Sequence, residues 1–338
     1  MRLAIMSAIL VTAAAVVVSA VAVGAAPEVS EVALGVSQSP QLAAQIVVAM
    51  EQGYFKKEGI TPKITWTPSG REFAEAFAAR AVVMGTSGEQ PAINLAHRGL
   101  PVRVFAQLCE MSDSLGAVVK KDVQKPEDLY GRKVAFFPGT TSELLFQGFV
   151  RRYKLDAARL QQFHMDPPES VAAFIRGDVD AIFAWEPNVA RAVKAGGKVL
   201  ASGSRSYVPG QEGPHRMAPG HGAFSVSTDF AQKNPQTVRA VLRAIVAGND
   251  YLQKPDNIPS VARWMNKQTN MPVDLIEVTM RATRYMIALD PQLLEDMGIT
   301  QQFMLDKKQI ARKVPARELY VLDPLRDVDA KLVTLTLD

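Results

Sequence analysis

The chain has 338 residues, 48% of them apolar and 21% charged, with a formal net charge of +4. This is ordinary globular composition, and the small, scattered positive surplus excludes a nucleic-acid-binding surface, so no nucleic-acid partner is expected. Cys109 is the sole cysteine, which rules out an intrachain disulfide.

Met1-Arg2 is followed by an uncharged apolar run from Leu3 to Val23, interrupted only by Ser7, Thr12 and Ser19. It ends in small residues, Ala22-Val23-Gly24-Ala25-Ala26. One positive charge, an apolar stretch and a small-residue exit describe a secretory signal peptide over residues 1–26. The competing reading is an uncleaved anchor, since the run is long enough to span a bilayer. An exported chain without disulfides fits a bacterial periplasm better than a eukaryotic secretory route. Cleavage leaves roughly 310 residues, enough for two lobes with their own cores.

Residues 31–36 alternate and are β-rich, which predicts a strand. Ser37-Gln38-Ser39-Pro40 then forms a polar turn with helix-start residues. Leu42, Ile46, Val47 and Met50 recur at helical spacing up to Gly53. A strand at 63–66, a helix at 73–80, a strand at 81–84, a polar loop at 85–91, a helix at 92–98 and a strand at 102–108 complete the first block. The second block has strands at 117–120, 133–137, 161–164, 179–185 and from 199. Between them lie helices at 125–130, 143–153, 169–176 and 188–194. Repeated strand–helix alternation predicts α/β architecture with mostly parallel open sheets. Residues 202–222, rich in Gly, Pro and Ser, read as an unusually long loop. A strand at 223–227 and helices at 235–253, 258–266, 273–289, 293–297 and 301–313 follow. The tail 314–338 is poorly patterned.

Three segments carry a family resemblance: AMEQGYFKKEGI at 49–60, GRKVAFFPGTTSELL at 131–145 and FIRGDVDAIFAWEPNVARAVKAGG at 174–197. In this order and spacing they resemble the periplasmic solute-binding proteins of ABC importers for nitrate, alkanesulfonates, taurine and thiamine-pyrimidine-like compounds. The resemblance covers residues 32–266. It implies a type II two-lobed fold, each lobe an open, mostly parallel sheet flanked by helices, with the ligand in the cleft between lobes. It places residues 27–110 and 222–338 in lobe I and 111–221 in lobe II, with crossings near 108–112 and within 202–222. The implied partners are a small-molecule solute and an ABC permease in the inner membrane, the protein itself being a periplasmic monomer.

Gly139-Thr140-Thr141-Ser142 lies between an apolar strand and an apolar helix. Gly permits the tight turn, and Thr141 or Ser142 can cap the helix. The free N–H groups of a helix start favour an anionic or polar ligand group, although a plain cap needs the same residues. Ser37, Gln38 and Ser39, and Thr86, Ser87 and Glu89, make matching turns in the first block. Trp185 can wall a ligand and Glu186 can accept from an amine or amide. His221, between two glycines, is a further candidate contact. If Glu89, Glu110 and Glu186 all face the cleft, they repel an anion and favour a cationic or neutral heterocycle.

Catalysis finds little support. The histidines at 97, 164, 215 and 221 show no HExxH or HxH spacing, so no metal or cofactor is expected. There is no GxSxG elbow. Cys109 ends an apolar strand and reads as an inert buried thiol. The rival readings are an enzyme on the same scaffold, of thiamine-pyrimidine or menaquinone-pathway type, and a ligand-binding partner of a sensor.

Overall fold

The computed structural model describes residues 25–68 and 70–337, and leaves out the side chain of Arg71. Nearly all of the expected signal peptide lies outside the described residues. In chain order, β1 (Glu31–Ser37), α1 (Pro40–Glu51), α2 (Tyr54–Lys57), β2 (Thr61–Thr67), α3 (Gly70–Ala78), β3 (Met84–Gly88), α4 (Glu89–His97) and β4 (Val102–Glu110) come first. There follow β5 (Leu115–Val119), β6 (Lys133–Phe136), α5 (Thr141–Arg152), β7 (Gln161–His164), α6 (Pro167–Arg176), β8 (Ala181–Trp185), α7 (Asn188–Lys194), β9 (Lys198–Ser202), β10 (Arg205–Ser206) and β11 (Gly213–Pro214). Last come β12 (His221–Ser227), α8 (Thr228–Lys233), α9 (Pro235–Leu252), α10 (Ile258–Thr269), α11 (Val273–Arg281), β13 (Arg284–Ala288), α12 (Pro291–Asp306), α13 (Ala316–Leu319) and α14 (Asp323–Val328).

The strands form two sheets, ordered β13-β4-β12-β3-β1-β2 and β11-β10-β9-β5-β8-β6-β7. The chain leaves the first sheet after β4 and returns to it at β12, so residues 110–115 and 214–221 are the two passages between sheets. Helices flank both sheets, giving the α/β class expected. The sheets are mixed, however, not mostly parallel. β1 pairs parallel with β2 and β3, and β6 with β7 and β8. β12 runs antiparallel to β3 and β4, and β5 antiparallel to β8 and β9. The physical reason lies in the passages. A strand that enters a sheet directly from the other one, without a covering helix between, is free to run against its neighbours.

α1 is buried on every side, from Pro40 through Ala49. That is why its apolar pattern is nearly continuous rather than a stripe. One face lies on the first sheet, where Gln45 Nε2 donates to Leu108 O at 2.6 Å. On the other face α9 comes so close that a Cβ on Gly248 would stand 2.4 Å from Gln45 O.

Several elements differ from their sequence patterns. The loop expected at 202–222 contains the short strands β10 and β11, and the helix expected at 125–130 is one 3-10 turn over Pro126–Leu129. The strand expected at 81–84 is β3, Met84–Gly88, so Thr86 and Ser87 lie within a strand and not in a loop. Its sequence, MGTSG, is poor in β-formers. It is held as a central strand between β1 and β12, and close approach selects its glycine: a Cβ on Gly85 would stand 1.9 Å from Gly35 O. The helix expected over 273–289 ends at Arg281, and β13 follows as an edge strand on β4. The two helices expected at 293–297 and 301–313 are one, α12, ending at Asp306.

Candidate functional site

The turn between β6 and α5 is built by its own side chains. Thr140, not Thr141 or Ser142, is the N-cap, with Oγ1 accepting from Ser142 N at 3.2 Å. Ser142 has no exposed surface and serves the strands instead. Its hydroxyl accepts from Phe137 N at 2.9 Å and donates to Phe183 O at 2.6 Å. Gly139, at φ +73°, makes the left-handed turn that a side chain disfavours. Its N–H goes to Glu143 Oε2 at 2.8 Å. Among the described residues, the N–H groups of Thr140 and Thr141 are left without an acceptor at the positive end of α5. Trp185, half-buried, ends the adjacent strand β8, and Glu186, buried, follows it. Glu186 Oε2 accepts from Ala190 N at 2.9 Å, capping α7. Burial pushes its carboxyl up, the Ala190 bond offsetting part of this.

The corresponding region of the first sheet joins Ser37, Ser39 and Thr86. Ser37 N donates to Thr86 Oγ1 at 3.0 Å and Ser39 N to Ser37 Oγ at 3.2 Å. Ser39 Oγ donates to Gln41 Oε1, and Gln38 N reaches Thr67 O at 3.0 Å. Ser87, fully buried, bonds Gly88 O at 3.0 Å. No hydrogen bond among the described residues joins this group to the Thr140–Ser142 turn.

Glu89 and His221 belong to a third, buried group that also contains residues with no motif in the sequence. His221 Nε2 lies 2.7 Å from Asp296 Oδ2, and its Nδ1 lies 2.5 Å from Gln107 Nε2. Asp296 accepts from Arg216 Nε at 2.5 Å. Thr300 Oγ1 donates to Glu89 Oε1, while Glu89 Oε2 is buried without a partner. Burial pushes the Glu89 carboxyl up, against the pull of His221 and the Thr300 bond. Burial also works against charge on His221, but the Asp296 bond and the charges of Glu89, Asp296 and Glu110 outweigh it and hold the imidazole above its usual value. Asp296 is the reverse case: burial raises it, and the bonds from His221 and Arg216 win and lower it. The signal available for Asp296 was a lone acid on the buried face of a helix.

These placements alter the electrostatic expectation. Glu89 is turned into the Thr300–His221 group, Glu186 caps α7, and Glu110 pairs with Arg284 at 3.1 Å and with Arg216 at 3.8 Å. Glu110 is thus paired with two arginines, whereas Glu89 and Glu186 accept from a hydroxyl and a backbone N–H. Cys109 is fully buried and its thiol is pushed up to about 12 by that burial. Among the described residues no cluster of His, Cys, Asp and Glu has the arrangement of a metal site. Nor is any described helix long and apolar enough to cross a membrane.

The model of the NMT1-like family matches residues 25–266, well over half the chain. The chain belongs to the NMT1-like family. Among curated relatives of this NMT1-like chain, the taurine-binding periplasmic protein of Escherichia coli is 27% identical over 281 residues, 80% of this chain and 84% of that one. A putative aliphatic sulfonates-binding protein of Bacillus subtilis is 23% identical over 86% of each chain. The crystal structure of the periplasmic aliphatic sulphonate binding protein SsuA from Escherichia coli superposes with a TM-score of 0.72 at 19% identity, covering 87% of this chain and 92% of that one. The desulfurization enzyme DSZB shares the fold as well, with a TM-score of 0.67 at 14% identity over 90% and 99% of the two chains. The fold of the NMT1-like chain is therefore found both in solute-binding proteins and in an enzyme.

Proposed function

We propose that this chain is the exported, non-catalytic solute-binding component of an ABC importer, and that it takes a small organic oxyanion of the sulfonate type. The observation that carries the reading is the start of α5. Two N–H groups, on Thr140 and Thr141, stand without internal acceptors at a helix N-terminus, at the carboxyl end of a parallel strand. Open α/β sheets bind ligands at that edge, and helix starts bind anions. The Ser37–Ser39 turn occupies the same position after β1, and its hydroxyls and the half-buried Gln38 supply a polar opposite wall. Glu110 is paired with Arg284 and Arg216, and burial pushes the carboxyls of Glu89 and Glu186 toward the neutral form, which lessens the repulsion of an anion.

In this reading residues 27–110 and 222–338 form lobe I and 111–221 form lobe II, with Trp185 beside the ligand. Ligand bridging the lobes stabilises the closed form. That form then docks on an inner-membrane permease, the chain acting as a periplasmic monomer after loss of residues 1–26. The names of the curated relatives support an anionic sulfonate, taurine among them. The DSZB likeness keeps an enzyme as the rival. The thiol of Cys109, buried and held at about 12, is a poor nucleophile and weighs against that rival.

The test is a thermal-shift and calorimetric titration of the mature protein with taurine, ethanesulfonate, nitrate and a thiamine-type pyrimidine. One-to-one binding of a sulfonate without turnover is expected. Binding of the pyrimidine alone, or consumption of the solute, contradicts the reading.

A further inference from the structure

The Gly139–Glu143 turn is held from outside its own sheet. α12 packs on α4 of the first sheet, whereas α5 packs on β5 and β8 of the second. The C-terminal end of α12 closes in a firm turn: Lys308 takes a left-handed φ of 55°, and Gln309 N returns to Met304 O at 2.8 Å. This turn aims two side chains at the start of α5. Lys307 Nζ pairs with Glu143 Oε1, and Gln309 Nε2 donates to Gly139 O at 2.6 Å. Glu143, with only 8% of its side chain exposed, spends its other oxygen on Gly139 N. Both bonds from the first-sheet body therefore end on the short segment whose N–H groups face the proposed ligand.

Within the passages the two bodies also meet through Ser114, which donates to Ala282 O at 3.0 Å, and through Arg216 on Asp296; away from the passages the contact is narrow. Beyond it, α5 and α12 are separated by a space of about 590 Å³ lined by Leu144, Gln147, Ile299, Phe303 and Asp306 among others. Apolar packing does not hold the two helices together there. On another face Lys194 and Asp274 pair at 3.5 Å, but both are largely exposed, and such pairs contribute little.

We propose that Lys307 and Gln309 form a polar strap between the two bodies, which positions the Gly139–Glu143 turn and favours the closed arrangement before any solute arrives. They are positioning residues: they act on the ligand through Glu143 and Gly139. The proposal rests on the reading of this turn as a ligand wall. Closure that is already favoured raises apparent affinity by the fraction of molecules in the competent state.

The experiment uses the full mature chain. Small-angle scattering of the ligand-free protein is paired with taurine titration for wild type, Lys307→Met, Lys307→Arg, Gln309→Ala and Glu143→Gln. Lys307→Met and Glu143→Gln are expected to expand the ligand-free protein and to weaken taurine binding by roughly five- to tenfold. Lys307→Arg should restore both readouts. The double variant Lys307→Met/Glu143→Gln should be no worse than either single one. Gln309→Ala, at a part-buried surface position, should shift both readouts in the same direction by less. Unchanged scattering and unchanged affinity in Lys307→Met overturn the strap. If wild type binds no sulfonate at all, the functional reading fails, and the scattering series alone still decides the strap.

Discussion

The imidazole of His221 and the carboxylate of Asp296 meet at 2.7 Å, both buried. The bond ties the first residue of β12, at the end of the second passage between sheets, to the middle of α12. Arg216, within that passage, reaches the same carboxylate, and Glu110, at the start of the first passage, also pairs with Arg216. One buried acid thus anchors the return of the chain to its first sheet. Asp296→Asn removes the charge and leaves His221 and Arg216 facing an amide. Losing one partner of a buried ionic group costs about 3–5 kcal/mol. Urea unfolding should show that loss, with little change in slope; a loss near zero would mean that the group is not structural.

The same pair gives stability a pH dependence. Folding raises the pKa of His221 above 6.5. Its contribution is therefore complete below the unfolded value of 6.5 and is lost as pH rises through the raised folded value. Folding lowers Asp296 below 3.8, so its contribution holds above 3.8 and is lost as pH falls through the lowered value. Glu89, raised from 4.5, adds a further decline as pH rises from 4.5 through its own folded value. The melting temperature should fall on the alkaline side of 6.5, and His221→Gln should flatten that fall. Parallel pH curves for the two proteins would refute the assignment.

Gly85 faces Gly35 across the β1–β3 pair. A Cβ there would stand 1.9 Å from Gly35 O and 2.8 Å from Phe73 Cε2. Neither the backbone carbonyl of a central strand nor the packed ring can yield cheaply. Gly85→Ala should destabilise by several kcal/mol, about 3 or more, as overpacked cores do at their worst. Loss of soluble expression or a much lower melting temperature would agree; a wild-type melting temperature would not.

Ser142→Ala probes the turn itself. The hydroxyl serves Phe137 N and Phe183 O in a site with no exposed surface. Its removal takes a partner from the buried Phe183 O and from the part-buried Phe137 N, at about 1–3 kcal/mol. Chemical denaturation should show that loss, and faster amide exchange at Phe137 should accompany it. Protection at Phe137 equal to wild type would contradict the geometry.

Much of the fold was legible. The apolar run of α1, the strand–helix alternation and the GRKVAFFPGTTSELL segment each mark an element or turn that the structure contains. What the sequence hid were features set by partners far along the chain. β3 is a strand because β1 and β12 flank it, although its residues are weak strand formers. β13 continues an apolar pattern that also suits a helix, and only pairing with β4 decides it. Of the candidate residues, Ser37, Ser39 and Thr86, expected in two separate turns, are joined by hydrogen bonds. Glu89 and His221 bond to Asp296, Thr300 and Gln107, which no local motif announces. Lys307 and Gln309 were likewise invisible, because their partners lie more than a hundred residues earlier.

The central claim is that a small oxyanion is held between the α5 turn and the Ser37–Ser39 turn. The most direct measurement is a crystal structure of the mature protein with taurine. The account predicts sulfonate oxygens within hydrogen-bond distance of the Thr140 and Thr141 N–H groups, with the Ser37–Ser39 turn on the opposite side. Taurine bound away from both turns would contradict it.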